Sequence, residues 1–493
     1  MIYIYVQGHD FRYGVYELVR MFFFGEEIIF IEDLDEYDNE GMLIENYLLE
    51  LENSFSSVTK VFKNGELFNE CEVKSLENIN IAINNLRKKL NLGVKQSIYK
   101  ALNSFKIAKV PWGILIGVRP IKVVEELIYK GIDDENILNI LQNEYKLLEE
   151  KAKLMLEIGN VQRKYLYPIS EEKYSLYVSI PFCPTRCVYC SFPSNSIKRT
   201  EKYVDEYTEK IIYEMKRVKE IMGNKKINTV YIGGGTPTAI PVRNLEKIIE
   251  NIYLIFGKEN VKEITVEAGR PDTINKEILT MLKAKDIDRI SINPQTMNDE
   301  TLKLIGRNHS SKDIIESYKL ARKIGFSNIN MDIILGLPGE GLKEVEYTLK
   351  NIMDLKPENL TIHTLAVKKG SKFKKTMDHY NIEEENIIEN MIELSREYAE
   401  KMGLKPYYLY RQKQMLGNYE NVGYAIKDME CIYNILIMAE KESILAVGPG
   451  GVSKIFSPKE NRIERVPNVK GLKEYLVRID EMIERKRKAV DNY

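Results

Sequence analysis

Three of the five cysteines in this 493-residue chain lie close together, at Cys183, Cys187 and Cys190. Cysteines scattered through a core would rarely cluster in this way, so the spacing indicates a metal or redox site. A structural zinc ion requires four closed Cys or His ligands, and the four histidines are all distant from this stretch in sequence. An iron–sulfur cluster is the better interpretation, because three thiolates would leave one iron of a 4Fe–4S cluster open to a cofactor or substrate.

The overall composition narrows the class of protein. Lys plus Arg total 72 and Asp plus Glu total 73, and this balance argues against non-specific nucleic-acid binding, which usually needs a basic face. No apolar run approaches the roughly 18 residues that a membrane helix needs, and the N-terminus lacks the features of a signal peptide. We therefore expect a cytoplasmic protein without a membrane span, in which clustered cysteines serve metal or redox chemistry rather than disulfides.

Six segments rich in β-branched residues alternate with amphipathic helical patterns and predict the elements that position the cysteines. The strand candidates are 175–180, 228–234, 263–268, 289–294, 328–335 and 359–366. Six βα units in about 200 residues predict an α/β fold with a partial (β/α)6 TIM-like barrel, since eight units would need about 250 residues. The cysteines follow the first strand at its C-terminal end, where the active sites of such barrels lie.

The remaining sequence predicts a domain on either side of the barrel. Residues 1–165 combine strand and helix patterns, which predicts an N-terminal α+β domain of unknown role. The barrel is expected at 170–380. Residues 381–493 predict a separate C-terminal domain of mostly helical or mixed structure.

The cysteine spacing, C-x3-C-x2-C with Tyr189 before the last cysteine, resembles the cluster loop of the radical S-adenosylmethionine (SAM) superfamily. The glycines of GGGTP, at 233–237, follow one βα unit later, and glycines let backbone groups approach a ligand closely. The resemblance implies that Cys183, Cys187 and Cys190 hold a 4Fe–4S cluster. It also implies that one or two SAM molecules bind beside this cluster.

A larger set of motifs resembles one branch of that superfamily, the oxygen-independent coproporphyrinogen III oxidase (HemN-like) family. The motifs are YVSIPFCPTRCVYCSF, YIGGGTPT, VEAGRP, INPQT, GRNH and MDIILGLPGE. The HemZ-type branch, named coproporphyrinogen dehydrogenase, has the greatest similarity because it also carries an extra N-terminal region. The motifs cover residues from about 175 to 370, so the first 165 residues rest on the branch resemblance alone.

The resemblance also assigns a set of cofactor contacts. The positions that match SAM-binding residues of the family are Tyr177, Tyr189, Gly234, Gly235, Thr236, Glu267, Gln295, Arg307, Asp332 and Ala366. Tyr177 and Glu267 are also assigned to the catalytic site. The plainer interpretation is a helix cap for Glu267 and a surface residue for Arg307. Asp332 sits in an apolar run, where carboxylates are rare unless they are paired or functional.

The reaction implied by the resemblance begins with a 5′-deoxyadenosyl radical, which the reduced cluster generates from SAM. The radical takes a hydrogen from a propionate of coproporphyrinogen III, and loss of CO2 and one electron then leaves a vinyl group. Two such events would give protoporphyrinogen IX in anaerobic haem biosynthesis. The alternatives are a radical methyltransferase, another tetrapyrrole-modifying enzyme, and a haem-binding chaperone.

Two departures from the family bear on these alternatives. Phe192 stands where the decarboxylating branch often has a fourth cysteine. The chaperone branch carries H-N-x-x-Y-W, and the region that we align with it, CIYNILIM, has Tyr433 and Asn434 but no histidine.

A tetrapyrrole substrate with several carboxylates requires cationic anchors. The candidates are Arg186, Arg411, Lys413 and Lys454. The resemblance further implies a one-electron donor such as flavodoxin or ferredoxin, and no nucleic-acid partner.

Overall fold

The computed structural model of the chain describes residues 1–23, 25–51, 54–74, 85–105, 110–365, 385–412 and 419–492, without the side chains of residues 385 and 386. The described residues form two compact units, Met1–Asn160 and Val161–Tyr493. No helix in this described part combines the length and the apolar character that crossing a membrane requires.

The N-terminal unit has the predicted α+β class. Its elements are β1 (Ile2–Gln7), α1 (Arg12–Phe22), β2 (Ile28–Phe30), β3 (Met42–Leu51), β4 (Ser54–Lys63), β5 (Glu66–Lys74), α2 (Leu86–Asn103), α3 (Ile121–Tyr129), α4 (Asp134–Asn143) and α5 (Glu149–Leu166), which continues into the second unit. The described strands form one sheet in the order β2-β1-β3-β4-β5. β1 pairs in parallel with β2 and β3, and the later pairs are antiparallel.

A buried polar cluster lies between the sheet and α2. The Asn46 side-chain amide on β3 donates to Thr59 Oγ1 at 2.7 Å and to Ser97 Oγ at 3.1 Å, and its oxygen lies 2.7 Å from His9 Nε2. His9 Nδ1 accepts from the Phe11 backbone amide, so the proton of the neutral ring lies on Nε2. Burial lowers the pKa of His9, which favours this neutral form.

Replacing Asn46 with alanine is expected to lower the free energy of unfolding by about 1–3 kcal/mol, because it removes the buried hydrogen bonds to Thr59 and Ser97 and takes the acceptor from His9 Nε2. Thermal denaturation measures the change. Asn139→Ala, which removes an exposed amide on α4 of the same unit, is the matched control and should change stability by less than about 0.5 kcal/mol. Equal midpoints for the two variants would contradict the prediction.

The second unit begins with the barrel. Its elements are β6 (Lys173–Ile180), β7 (Phe182–Cys183), β8 (Asn195–Ser196), α6 (Ile197–Thr200), α7 (Val204–Met222), β9 (Lys226–Gly234), α8 (Val242–Phe256), β10 (Glu263–Glu267), α9 (Lys276–Ala284), β11 (Arg289–Ser291), α10 (Asp299–Leu304), α11 (Ser311–Ile324), β12 (Ile329–Leu335), α12 (Leu342–Leu355) and β13 (Asn359–Thr364). Six strands of the barrel are neighbours in one sheet, and each pairs in parallel with the next. Their order is β6, β9, β10, β11, β12 and β13. The predicted six-stranded partial barrel is confirmed.

The chain continues with elements that extend the barrel sheet at both edges. They are α13 (Glu385–Lys401), β14 (Lys405–Arg411), β15 (Glu420–Ala425), α14 (Ile432–Ala439), β16 (Ser443–Val447), β17 (Val452–Ser457), β18 (Arg462–Pro467), α15 (Leu472–Val477) and α16 (Ile479–Asp491). β15 pairs antiparallel with β13, and β16 pairs in parallel with β6. The C-terminal region is therefore mixed, as predicted, and the domain boundaries near 165 and 380 stay a prediction.

The strand β11 is shorter than the predicted segment 289–294. It ends at Ser291, and the chain then passes through Pro294, which has no backbone N–H to donate, and Gln295, which adopts a left-handed conformation with φ 66°. The backbone amide of Gln295 still donates to the backbone carbonyl of Asp332 at 2.9 Å. The chain thus leaves the strand but remains beside β12 at the C-terminal end of the barrel.

Strand β10 shows how alternation directs polar groups into the barrel. Ile264 and Val266 are fully buried apolar residues, whereas Glu263 and Glu267 lie on the other face. Helix α14 enters on this second face, where the Tyr433 amide donates to Glu263 Oε1 at 3.3 Å. The barrel interior is therefore lined with polar and aromatic groups rather than filled by aliphatic side chains.

A fully buried ion pair connects α7 to α16. Lys486 Nζ lies 2.7 Å from Glu214 Oε1, and both side chains have zero exposure. The carboxylate also accepts from the Tyr475 hydroxyl at 2.6 Å and the Gly448 amide at 2.8 Å, while Asn468 bridges the two charges. The turn that begins at Gly448, after β16, is thereby attached to α7.

Candidate functional site

The three clustered cysteines follow the first barrel strand at its C-terminal end. Cys183 is buried within β7, while Cys187 and Cys190 are half-buried in the irregular segment that follows. The Cys190 amide donates to the Cys187 carbonyl at 3.1 Å, which closes a turn between these two cysteines. Residues 183–190, called the cysteine loop below, therefore lie at the mouth of the barrel.

The cysteine loop is attached to the segment after α10. Thr185 Oγ1 donates to the Gly306 carbonyl and the Val188 amide donates to the Ile305 carbonyl, both at 3.1 Å. These two bonds hold the middle of the loop against residues 305–306.

Arg270, which follows β10, attaches the same loop from a second direction. Its guanidinium donates to Thr185 Oγ1 at 2.9 Å and lies 3.9 Å from Cys187 Sγ. Asp272 accepts two hydrogen bonds of 2.9 Å from this guanidinium. Burial opposes ionisation of Asp272, but His309 and Arg270 outweigh it and hold the pKa of the carboxyl below its usual range. The ionised carboxylate fixes the orientation of Arg270.

The glycine turn after β9 lies directly against the first cysteine. The Gly235 amide donates to the Ile180 carbonyl and the Thr236 amide to the Phe182 carbonyl, both at 2.7 Å. A Cβ atom on Gly235 would lie 2.6 Å from the Phe182 oxygen and 3.0 Å from Cys183 Sγ. Only glycine fits at this position, so the GGGTP turn and the cysteine loop share one wall.

The donor set fits a cluster held by three thiolates. Burial raises the pKa of Cys183 to about 11, so its thiolate requires a nearby positive charge such as a ligated iron. Among the residues that the structure describes, no three His, Cys, Asp or Glu side chains converge closely enough to hold a single metal ion. Three thiols within one loop, one of them buried, are the type of donor that an iron–sulfur cluster takes.

Three tyrosines stack inside the barrel below this loop. The rings of Tyr231 on β9 and Tyr433 on α14 lie 4.7 Å apart, and Tyr177 on β6 lies 6.2 Å from each of them. Burial raises the pKa of Tyr177 and Tyr231 above the ordinary value, so both phenols stay neutral. The stack forms an apolar wall with hydroxyl groups at its edge.

Glu267 is oriented by its neighbours on β9. The Tyr231 hydroxyl donates to Glu267 Oε1 at 2.7 Å, and a Cβ on Gly233 would lie 2.8 Å from the carboxyl carbon. Burial, and then the nearby charge of Asp332, raise the pKa of Glu267 to about 7. This carboxyl can therefore exchange a proton near neutral pH.

The pKa of Asp332 on β12 is lowered, whereas that of Glu267 is raised. Its carboxylate accepts from Asn330 at 2.7 Å and lies 3.8 Å from His363 Nε2. Burial alone would raise the pKa of Asp332, but His363 and Asn330 outweigh it and lower the pKa. The other imidazole nitrogen of His363 lies 3.1 Å from the Tyr410 hydroxyl. The barrel interior thus combines one carboxyl that is readily protonated with one that stays ionised.

Gln295 and Arg307 supply unused hydrogen-bonding groups at the same end of the barrel. Gln295 Oε1 and Arg307 Nε are buried and have no hydrogen-bond partner among the described residues. Arg307 Nη1 donates to the Asn293 carbonyl at 2.6 Å. Burial would lower the pKa of Arg307, but Tyr189 and Cys187 beside it favour the charged form and raise it. These buried polar atoms are therefore available to hydrogen-bond with a polar ligand or with water.

The structure places the predicted residues as follows. Those that meet at the mouth or in the interior of the barrel are Tyr177, Cys183, Cys187, Tyr189, Cys190, Gly234, Gly235, Thr236, Glu267, Gln295, Arg307 and Asp332. Their assigned roles stay predictions. Ala366 and Lys413 lie outside the described residues.

The other proposed substrate anchors differ in position. Arg186 is exposed in the cysteine loop, and Arg411 is buried where β14 pairs with Glu420 of β15. Lys454 is buried on β17, where it donates to the Ile437 carbonyl at 2.9 Å and lies 3.4 Å from Glu440.

The sequence interpretation missed several residues that complete the site. Tyr231 and Gly233 are two positions apart on β9, and residues at this spacing point to the same face of a strand. The spacing could have identified Tyr231 as a neighbour of the glycine turn. Arg270 follows Gly269 in the VEAGRP motif, but nothing in the sequence links it to Thr185. His363 lies on the sixth strand, next to the strand that carries Asp332.

Replacing Glu267 with glutamine is expected to flatten the pH dependence of stability between about pH 5 and 7. The native carboxyl, with a pKa near 7 against its ordinary 4.5, stays protonated where the unfolded chain has ionised. Its stabilising contribution is therefore full below about pH 4.5 and is lost as the pH rises through 7. Thermal midpoints of the ligand-free chain measure this slope. Glu277→Gln, an exposed carboxyl on α9, should leave the slope unchanged; equal slopes for both variants would argue against the raised pKa.

Comparisons with known proteins agree with this arrangement. The sequence profile of the Radical SAM superfamily matches residues 177–352. The oxygen-independent coproporphyrinogen-III oxidase-like protein HemZ of Bacillus subtilis is 41% identical over 386 residues, which are 77% of this chain and 77% of that protein. The haem chaperone HemW of the same organism is 36% identical over 200 residues, covering 40% of this chain and 52% of HemW.

A solved structure shows the same fold. Coproporphyrinogen III oxidase (HemN) from Escherichia coli, described as a radical SAM enzyme, superposes with a TM-score of 0.52 at 21% identity. The match covers 65% of this chain and 72% of that one. With the cysteine loop, the glycine turn and the extent of the HemZ match, the chain belongs to the HemN-like family of radical SAM enzymes, in the HemZ branch.

Proposed function

We propose that this chain oxidatively decarboxylates propionate side chains of coproporphyrinogen III to vinyl groups, giving protoporphyrinogen IX. The substrate class is taken from the name of the HemZ relative, which is 41% identical. The observation that supports the proposal is the close approach of Gly235 to Cys183, because it places the proposed SAM-binding turn against a thiol of the cysteine loop. This arrangement suits a cofactor that must touch both the glycine turn and an open iron.

The clustered cysteines would hold the iron–sulfur cofactor. Cys183, Cys187 and Cys190 would supply three thiolates to a 4Fe–4S cluster. With SAM bound, the reduced cluster supplies a 5′-deoxyadenosyl radical; this chemistry belongs to the cofactors.

The polar residues of the barrel would position SAM. The unpartnered atoms of Gln295 and Arg307 would donate to or accept from one or two SAM molecules, while Asp332 would offer a fixed carboxylate. Tyr231 would keep the Glu267 carboxyl oriented, and the stacked tyrosines would exclude water from the radical.

A carboxylate-bearing tetrapyrrole would be held at the same end of the barrel. Burial, opposed by Glu420, lowers the pKa of Arg411 to about 10, so this guanidinium is still cationic near neutral pH. It is the proposed anchor for a propionate. A one-electron donor protein is the second proposed partner, and no nucleic acid is required.

An anaerobic assay with coproporphyrinogen III, SAM and dithionite tests the proposal. The native chain should release CO2 and form a vinyl product, together with deoxyadenosine. Cys187→Ala should abolish all three products, because the cluster loses a ligand. Cys71→Ala, which removes a half-buried thiol in the N-terminal unit, is the matched control and should keep the activity.

The same assay separates the alternatives. S-adenosylhomocysteine or a methylated tetrapyrrole would identify a methyltransferase and refute decarboxylation. The haem chaperone HemW relatives motivate a haem titration. A Soret shift at one equivalent, with no vinyl product, would identify a haem carrier instead.

A further inference from the structure

The surface around the cysteine loop carries an excess of positive charge. Residues 186–202 contain four Arg or Lys side chains and one acid, Glu201, although the whole chain has a formal net charge of −1. The exposed cations of this stretch are Arg186, Lys198, Arg199 and Lys202. Arg186 lies in the cysteine loop, and the other three follow β8, which pairs with the strand that carries Cys183.

Backbone pairing brings these cations close to the first cysteine. β8 pairs in parallel with β7, with Cys183 opposite Ser196, and α6 begins at the next residue. Lys198 and Arg199 lie on this single-turn helix. Within the cysteine loop itself, the Arg186 guanidinium lies 3.4 Å from the Cys190 carbonyl. Positive charges therefore occur both in the cysteine loop and on the helix that follows its paired strand.

Three of these cations, Lys198, Arg199 and Lys202, form no ion pair within 4.0 Å in the part of the chain that the structure describes. Lys473, from the C-terminal elements, is a further cation near Lys202. Both ammonium groups lie close to the same Tyr203 ring, at 5.8 Å for Lys473 and 5.2 Å for Lys202 from its centre. Uncompensated exposed charge of one sign attracts a partner of the opposite sign.

An exposed apolar side chain lies between these cations in sequence. Phe192, two residues after the last clustered cysteine, is 54% exposed. Weak electron-transfer complexes have small interfaces, in which a few apolar contacts are surrounded by complementary charge. We call a set of five cations the basic face: Arg186, Lys198, Arg199, Lys202 and Lys473. Together with Phe192, it offers one apolar contact and several charges of one sign.

We propose that the basic face around Phe192 is the docking surface for a small acidic one-electron carrier protein. The inference rests on the proposed function, because it requires a redox cluster on the cysteine loop. Electron transfer weakens steeply with distance, so a carrier must bind where the cluster is nearest to solvent. Complementary charge would steer the carrier to that place and make its association sensitive to salt.

Binding of oxidised flavodoxin to the anaerobically reconstituted protein tests the surface. Isothermal titration calorimetry at low and at physiological salt gives the Kd. The native chain should bind with a Kd that rises as salt is added. Lys198→Glu/Arg199→Glu should raise the low-salt Kd by about tenfold or more and weaken its salt dependence.

The matched control carries the same charge change elsewhere on the barrel. Lys319 and Lys323 are exposed on α11, and its last turn lies at the end of the barrel opposite the cysteine loop. Lys319→Glu/Lys323→Glu should bind flavodoxin as the native chain does. An equal loss in both variants would reduce the effect to net charge and overturn the proposal, as would no binding by the native chain.

Dithionite separates this inference from the function on which it rests. If the native chain forms no deoxyadenosine from SAM with dithionite, the proposed function fails, whatever flavodoxin does. If deoxyadenosine forms and Lys198→Glu/Arg199→Glu binds flavodoxin as tightly as the native chain, only the docking surface is refuted.

Discussion

Replacing Lys486 with methionine is expected to lower the free energy of unfolding by about 3–5 kcal/mol. The ammonium lies 2.7 Å from Glu214 in a place with no exposure to solvent, and its loss leaves a buried carboxylate without a counter-charge. The Tyr475 hydroxyl and the Gly448 amide would still donate to Glu214, but neither carries a charge. Chemical or thermal denaturation measures the difference.

The control for this prediction lies on the same helix. Lys488 is exposed on α16, and Lys488→Met should change stability by less than about 0.5 kcal/mol. The double variant Lys486→Met/Glu214→Leu should recover part of the loss, because two buried charges that are removed together leave neither one unpaired. A Lys486→Met variant as stable as Lys488→Met would show that the ion pair contributes little.

Replacing Gly235 with alanine is expected to remove most of the iron and sulfide that the reconstituted protein holds. The added methyl group would meet the Phe182 carbonyl at 2.6 Å, the Ile180 carbonyl at 2.8 Å and Cys183 Sγ at 3.0 Å. Two of these atoms belong to the backbone and cannot rotate away, so the cysteine loop must move. Iron and sulfide analysis and the visible absorption spectrum measure the loss.

Gly117→Ala is the matched control, since a Cβ at this glycine would meet nothing within 4 Å. It should reconstitute as well as the native chain. The rate at which a thiol reagent modifies the loop cysteines gives a second measurement, which does not depend on a cluster. If Gly235→Ala binds iron and reacts with the reagent as the native chain does, the close contact is not required.

The parts of the fold that were predictable depend on local pattern. Each barrel strand is a run of β-branched residues that ends in glycine, proline or a polar residue, and each helix has its own apolar face. The order of the strands then follows from right-handed βα connections. Because parallel strands end at the same edge, Cys183, Thr236 and Glu267 could be expected together from sequence spacing.

The parts that were not predictable depend on contacts between residues far apart in sequence. Lys486 and Glu214 are 272 positions apart, and neither has a local feature that identifies its partner. The same holds for Arg270, which reaches Thr185 across 85 positions. The stack of Tyr433 on Tyr231 requires α14 to enter the barrel, and the amphipathic pattern of a short helix does not say what it packs against.

The pairing of β16 with β6 has a consequence for synthesis of the protein on the ribosome. β6 ends at Ile180, whereas β16 begins at Ser443, so one edge of the first barrel strand remains open while the intervening chain is made. At about 5–20 residues per second that interval is on the order of tens of seconds. An unpaired edge strand is a template for pairing with other chains. The nascent polypeptide is therefore exposed to aggregation through this edge until β16 emerges and covers it.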